Sequence, residues 1–149
     1  MKNVILIGLL ALLSTNAIAQ KNEKKEEKKV NAPALVVKAF QKDFPKVTKV
    51  NWSAEGTAFE AEFKLNGVEA SANYDKAGKR TETELEIKKE QIPAKALSYI
   101  KKNFSTYKIS EAARITDANK LVSYEAEMTK AGKSFDLIFD TNGNFLKKE

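Results

Sequence analysis

The sequence predicts an α+β domain: a tandem α-β-β-β-β repeat forming one antiparallel sheet with two helices packed on one face. Three observations predict it. Two proline-led segments carry apolar residues at helical spacing, at Pro33 and at Pro93. After each, apolar and polar residues alternate with period two between glycine-bearing turns. Finally, landmarks of the first half recur in the same order in the second.

The first element precedes the domain. Lys2 is followed by an apolar run from Val4 to Leu13, then Ser14, Thr15 and Asn16, then Ala17-Ile18-Ala19. A positive start, a short apolar run and an A-x-A site read as a secretory signal peptide over residues 1–19. The competing reading, an uncleaved anchor, needs about 20 apolar residues to span a bilayer. Cleavage before Gln20 leaves 130 residues, one ordinary domain, with no second apolar segment for stable membrane insertion. Residues 20–31 hold five lysines, three glutamates and one apolar residue, and read as a charged tether too polar to offset its ordering entropy. Polybasic runs can also bind anionic lipid or nucleic acid, but the interleaved glutamates leave this one only +2. With Arg80 and Arg114 as its only arginines, an exported chain is poorly equipped for nucleic acid.

The domain then runs over 32–149, as repeats 32–90 and 91–149. The first helix carries Leu35, Val36, Ala39, Phe40 and Phe44 on one face, the second Ala96, Leu97, Ile100 and Phe104. Proline suits the start of each, where its missing N–H has no partner to lose. Val50 and Trp52 mark a first strand, and Phe59, Ala61, Phe63 and Leu65 a second. Asn66-Gly67 is a strong hairpin signal leading into Val68, Ala70, Ala72 and Tyr74, and Asp75-Lys76-Ala77-Gly78 turns into a fourth strand with Thr83, Leu85 and Ile87 inward. The second half offers strands at 109–115, 123–128, 134–139 and 145–148. Phe59-Glu60-Ala61-Glu62-Phe63 matches Tyr124-Glu125-Ala126-Glu127-Met128, and Tyr74 to Gly78 matches Phe139 to Gly143. The offset between halves grows from 60 at the helices to 65 at the strands, which places a five-residue insertion near Ile115–Leu121 as a hairpin loop.

These residues resemble a family. A proline-led helix ending Phe44-Pro45, then Val50-Asn51-Trp52, Phe59 to Phe63, Tyr74 to Gly78, Thr81-Glu82-Thr83-Glu84 and Ile92-Pro93 resemble the PepSY-like proteins, also described as beta-lactamase-inhibitor-protein-like. The resemblance spans most of residues 33–146 and departs where Phe104-Ser105 replaces Phe-Pro and no second Trp appears. It implies an exported protein, periplasmic or secreted, with a helix-backed antiparallel sheet and no settled biochemical activity. By analogy of fold, beta-lactamase inhibitor proteins bind an enzyme with their open sheet face, although function does not travel with fold.

Composition excludes much chemistry. The chain has no His and no Cys, which removes Ser-His-Asp and Cys-His catalysis, His- and Cys-ligated metal, disulfides and iron–sulfur clusters. With 26 basic and 20 acidic residues the formal charge is +6, but alternation polarises it. If the apolar positions face the helices, the other sheet face shows Glu60, Glu62, Glu82, Glu84, Glu86, Glu125 and Glu127, relieved mainly by Lys64. One reading is a solvated face that discourages edge pairing. The sharper reading is a docking surface for a protein or peptide, a basic one by charge complementarity. Carboxylates on an open, solvated face lack the walls a glycosidase pair needs, so no catalytic residue and no cofactor are expected.

Asp140-Thr141-Asn142-Gly143-Asn144 looks like the start of a calcium loop, but Glu149 falls at its tenth position and not its twelfth; turn chemistry explains it, and no metal site is expected. The sequence therefore predicts a non-catalytic exported binding or inhibitor-like module. A periplasmic small-ligand or ion carrier is the alternative. A cavity bounded by Ala61, Ala70, Ala72 and Ala126 would favour the carrier, and a filled core with an exposed acidic concavity the partner-binding module.

Overall fold

The computed structural model describes residues 30–149, so the predicted signal peptide and all but the last two residues of the tether lie outside the described residues. Helix α1 (Ala34–Asp43) precedes strands β1 (Val50–Glu55), β2 (Ala58–Leu65), β3 (Val68–Tyr74) and β4 (Arg80–Glu86). A single 3-10 turn, Lys89–Gln91, leads into α2 (Ala94–Asn103), then β5 (Lys108–Asp117), β6 (Val122–Lys130), β7 (Lys133–Asp140) and β8 (Phe145–Lys148). The strands form one eight-stranded sheet in sequence order, each antiparallel to its neighbour.

Local chemistry sets the turns. Asn66 and Gly67 sit at φ 54° and 87°, the left-handed pair of a tight hairpin whose twist matches the strands. Asp75, Asp117 and Asp140 each build the same turn: Oδ1 accepts the backbone N–H groups of the residues two and four ahead at 2.8–2.9 Å. Both helices are ten residues long, too short to persist alone in water, and are held by what they bury.

The expected hairpin loop near Ile115–Leu121 is present at residues 118–121, between β5 and β6, while Ile115–Asp117 ahead of it belong to strand. β5 runs ten residues against six for β1 and ends at Asp117. Its Ala113–Asp117 portion pairs with Glu82–Glu86 of β4. A loop there would have left β4 with nothing to pair to, so the added length supplies the seam between the halves of the sheet. Ile87 falls just past β4 and packs with the second core cluster.

The core has two clusters. Val36 and Phe40 of α1 pack with Ala61, Phe63, Ala70, Ala72 and Tyr74. Phe40 is the hub, with ring centroids 5.1 Å from Phe63, 5.3 Å from Phe44 and 5.5 Å from Trp52. Ile92, Ala96 and Ile100, the last two from α2, pack with Ala112, Ala126, Met128, Leu137 and Phe139. Cross-strand register carries one face from Ala61 through Ala72 and Thr83 to Thr116, and another row on that face from Leu85 through Arg114 and Tyr124 to Phe139. The fully buried Ala61, Ala72 and Ala126 leave space for helix to approach sheet. At the end of α1, Asp43 accepts a hydrogen bond from the Tyr74 hydroxyl at 3.0 Å and pairs with Arg80 at 3.1 Å, tying helix to hairpin.

Two glycines lock helix against turn in equivalent ways. Gly78 (φ 78°) would bring a Cβ to 3.0 Å from the Leu35 carbonyl oxygen in α1. Gly143 (φ 77°) would bring one to 2.8 Å from the Ala96 backbone nitrogen in α2. Gly143→Ala is therefore expected to destabilise by about 2–4 kcal/mol, combining a left-handed Cβ with a backbone clash. Gly56→Ala, also left-handed but with nothing within 4 Å of its Cβ, should cost about 1 kcal/mol. Urea unfolding of the two variants checks this; equal losses would show that the helix does not bear on the turn.

Candidate binding groove

The pleat brings together all eight residues predicted for the polar face. Glu60 lies opposite Asn73, which lies opposite Glu82; Glu62 lies opposite Ser71, which lies opposite Glu84; Lys64 lies opposite Glu69. The rows continue across the seam, Glu84 to Ile115 and Glu86 to Ala113, then Ala113 to Glu125 and Glu125 to Ile138. Glu127 lies between Glu111 and Asp136. Directly opposed residues share a face, so Glu69, Glu111 and Asp136 join the expected set. Glu149 reaches the same region, its backbone exchanging two hydrogen bonds with Asp136 at 3.0 and 3.1 Å.

This face is not the evenly solvated surface that alternation alone predicts. It forms a groove of about 1200 Å³ floored by Glu60, Glu62, Ser71, Glu84 and Glu125 and walled by Lys46–Asn51. Ile115 and Ile138 lie on the carboxylate face yet are only 6% and 4% exposed. They are the direct cross-strand neighbours of Glu84 and Glu125, and those are the two carboxyls most perturbed. Burial, with the negative charges of Glu125, Glu82 and Glu60 and a hydrogen bond that protonated Glu84 donates to Glu82, pushes Glu84 up to about 8. Burial, then Asp136, Glu149, Glu82 and Glu127, pushes Glu125 up to about 7. Asp136 is raised by burial and then by Glu127, Glu149 and Glu111. Lys64 is spoken for: it pairs with Glu69 at 2.7 Å, and that hydrogen bond raises its own pKa.

Two polar atoms on this face of the sheet lack partners. Ser71 Oγ and Asn73 Oδ1 are buried without a hydrogen bond, an uncommon state for buried polar groups. An amide oxygen among carboxylates is an acceptor among acceptors. The groove can therefore receive N–H donors carrying positive charge.

Other chemistries find less here. Among the described residues, no group of three or more acidic side chains is arranged to hold a metal ion. In the calcium-like segment the Asp140 oxygens already accept the Asn142 and Asn144 backbone N–H groups and the Asn144 side chain, and these bonds hold the carboxyl below its ordinary range. Among the described residues, no helix is long and apolar enough to cross a membrane.

A family model described as "Putative beta-lactamase-inhibitor-like, PepSY-like" matches residues 57–147. Solved structures from Bacteroides share the fold. A Bacteroides eggerthii structure, named "putative periplasmic proteins", superposes with a TM-score of 0.70 at 16% identity over 80% of this chain and 89% of that one. A DUF2874 family protein from Bacteroides uniformis gives 0.69 at 17% over 79% and 88%, and a BLIP-like protein from Bacteroides fragilis 0.63 at 18% over 82% and 88%. At these identities the likeness is one of fold. No curated protein matches the chain.

The raised carboxyls set a pH dependence. Glu84 and Glu125 bind protons more tightly folded than unfolded, where glutamate titrates near 4.5. Their contribution to stability is fully present below about pH 4.5 and is lost as pH rises through 7 and 8. The melting temperature should therefore fall between pH 5 and 8.5. Glu84→Gln should flatten that fall and stabilise the protein at pH 8 by about 1–2 kcal/mol, discounted for partial exposure. A melting temperature that climbs with pH across this range, or a Gln variant with an unchanged slope, contradicts the assignment.

Proposed function

The chain belongs to the PepSY-like, beta-lactamase-inhibitor-like family, and on that premise we propose that it is an exported, non-catalytic binding module that takes a basic segment of a protein or peptide across the carboxylate face of its sheet. One observation carries this reading: Glu60, Glu62, Glu84 and Glu125 crowd the floor of one groove, and Lys64 on the same face is held by Glu69. A lysine- or arginine-bearing segment complements such a carboxylate cluster in charge and in hydrogen-bond donors.

The packing of the small residues supports a partner over a carried ligand. Ala61, Ala70, Ala72 and Ala126 are at most 8% exposed and belong to the two clusters packed against the helices, so they serve the approach of helix to sheet. Inhibitor-like family character and the periplasmic naming of a structural neighbour support an exported protein that works by contact. A chain with neither His nor Cys fits binding better than catalysis.

Binding of a lysine octapeptide, followed by calorimetry at low salt, tests the surface. Glu62→Lys combined with Glu86→Lys, two groove positions on neighbouring rows, should weaken binding roughly tenfold or more. Glu90→Lys, on the 3-10 turn, should change it less than about twofold. Equal binding by the groove variant and the wild type would overturn the assignment of the site.

A further inference from the structure

We propose that Asn66, at the tip of the β2–β3 hairpin, is a site of spontaneous modification, where the side-chain amide is converted through a cyclic imide to aspartate and isoaspartate within the folded protein. The sequence holds two Asn-Gly pairs, Asn66-Gly67 and Asn142-Gly143, and the same chemistry is open to both. The structure separates them. The inference does not depend on the binding reading above.

In this reaction the backbone nitrogen of the glycine attacks Cγ of the asparagine before it. A new N–Cγ bond forms, the Cγ–Nδ2 bond breaks, and ammonia leaves with the proton that the backbone nitrogen gives up. Water then opens the five-membered ring at either carbonyl, giving aspartate or an isoaspartyl link. Glycine permits this most readily, because no Cβ stands beside the attacking nitrogen and its backbone turns freely. A backbone N–H held by a hydrogen bond in a buried turn must first be released by local opening.

Asn66 and Gly67 are both exposed and both left-handed. A Cβ at Gly67 would meet nothing within 4 Å, so no other segment rests on the turn. Among the described residues the Gly67 N–H donates no backbone hydrogen bond. Behind the turn stand the Leu65–Val68 pair and the Lys64–Glu69 ion pair, whose side chains are both more than half exposed and so add little resistance to opening. Gly143 is the reverse case. It is buried, its N–H donates to the Asp140 carbonyl at 2.9 Å, and the N–H groups of Asn142 and Asn144 donate to Asp140 Oδ1. A Cβ there would lie 2.8 Å from the Ala96 nitrogen and 3.0 Å from the Lys95 Cβ, so α2 sits on that turn. Opening Asn142-Gly143 means lifting a helix end, whereas opening Asn66-Gly67 means fraying one hairpin tip. The product bears on the fold, because an isoaspartyl link adds a carbon to the main chain of a two-residue turn that sets the β2–β3 register.

Holding the folded protein at mildly alkaline pH and body temperature, then digesting it with trypsin for mass spectrometry, reads both sites. Peptides 65–76 and 134–147 each carry one Asn-Gly pair. Conversion adds about one dalton, and fragmentation separates Asn66 from Asn73 and Asn142 from Asn144. The expected result is conversion at Asn66 at least about tenfold faster than at Asn142 in the folded protein. In urea, where neither turn persists, the two rates should agree within about threefold, which assigns the folded-state difference to structure. Asn66→Gln should remove the mass gain from peptide 65–76, and the folded-to-urea comparison in the wild type stands alone if that variant folds poorly. Equal rates in the folded protein, faster conversion at Asn142, or an Asn66 that reacts in urea and not in the folded chain overturns the inference.

Discussion

One constraint governs the molecule: an unbroken antiparallel pleat across eight strands, in which the position of a residue along its strand decides its side of the sheet. Paired positions share a face, so Ala61 and Ala72 stand under a helix while Glu62, Ser71 and Glu84 one residue away stand on the other side. A slip of one residue anywhere would place glutamates beneath Phe40 and alanines in the groove. Where strict parity would fail, irregularities adjust it. Ile109 and Glu111 are two apart and would share a face on a regular strand, yet the shift between them sets Ile109 opposite Met128 and Glu111 opposite Glu127.

From that segregation the site follows. The helix face is filled by aromatic rings and alanines, leaving the carboxylates only the opposite face, where they stand in adjacent rows. The long β5 welds the two halves and sets Ile115 opposite Glu84, while β7 sets Ile138 opposite Glu125. Each isoleucine removes water from beside a carboxyl already surrounded by others. The same crowding concentrates negative charge on this face, the property that a basic partner would complement.

Much of this architecture is legible in the residues. Proline at the start and apolar spacing place both helices within a residue of where they lie, and Asn66-Gly67 fixes a hairpin and its register. Parity alone puts Glu60, Glu62, Lys64, Glu82, Glu84, Glu86, Glu125 and Glu127 together on one face. What parity cannot carry is anything set by an irregularity or by depth. The face of Glu111 depends on a bulge with no composition signal, and Glu149 acquires its place through backbone pairing with Asp136 after the turn. Burial of Ile115 and Ile138 depends on the shape of the whole sheet. Beyond the expected loop at 118–121, the added length near Ile115 lengthens β5 to pair with β4, a demand that lies far along the chain.

We propose that the carboxylate face, and not the helix face, is the working surface. Titrating a lysine octapeptide into isotopically labelled protein and following amide and carboxyl resonances tests it most directly. The predicted result is saturable shifts at Glu62, Ser71, Glu84 and Glu125, with the exposed sides of α1 and α2 unmoved. Shifts concentrated on the helices, or none at saturating peptide, would contradict it.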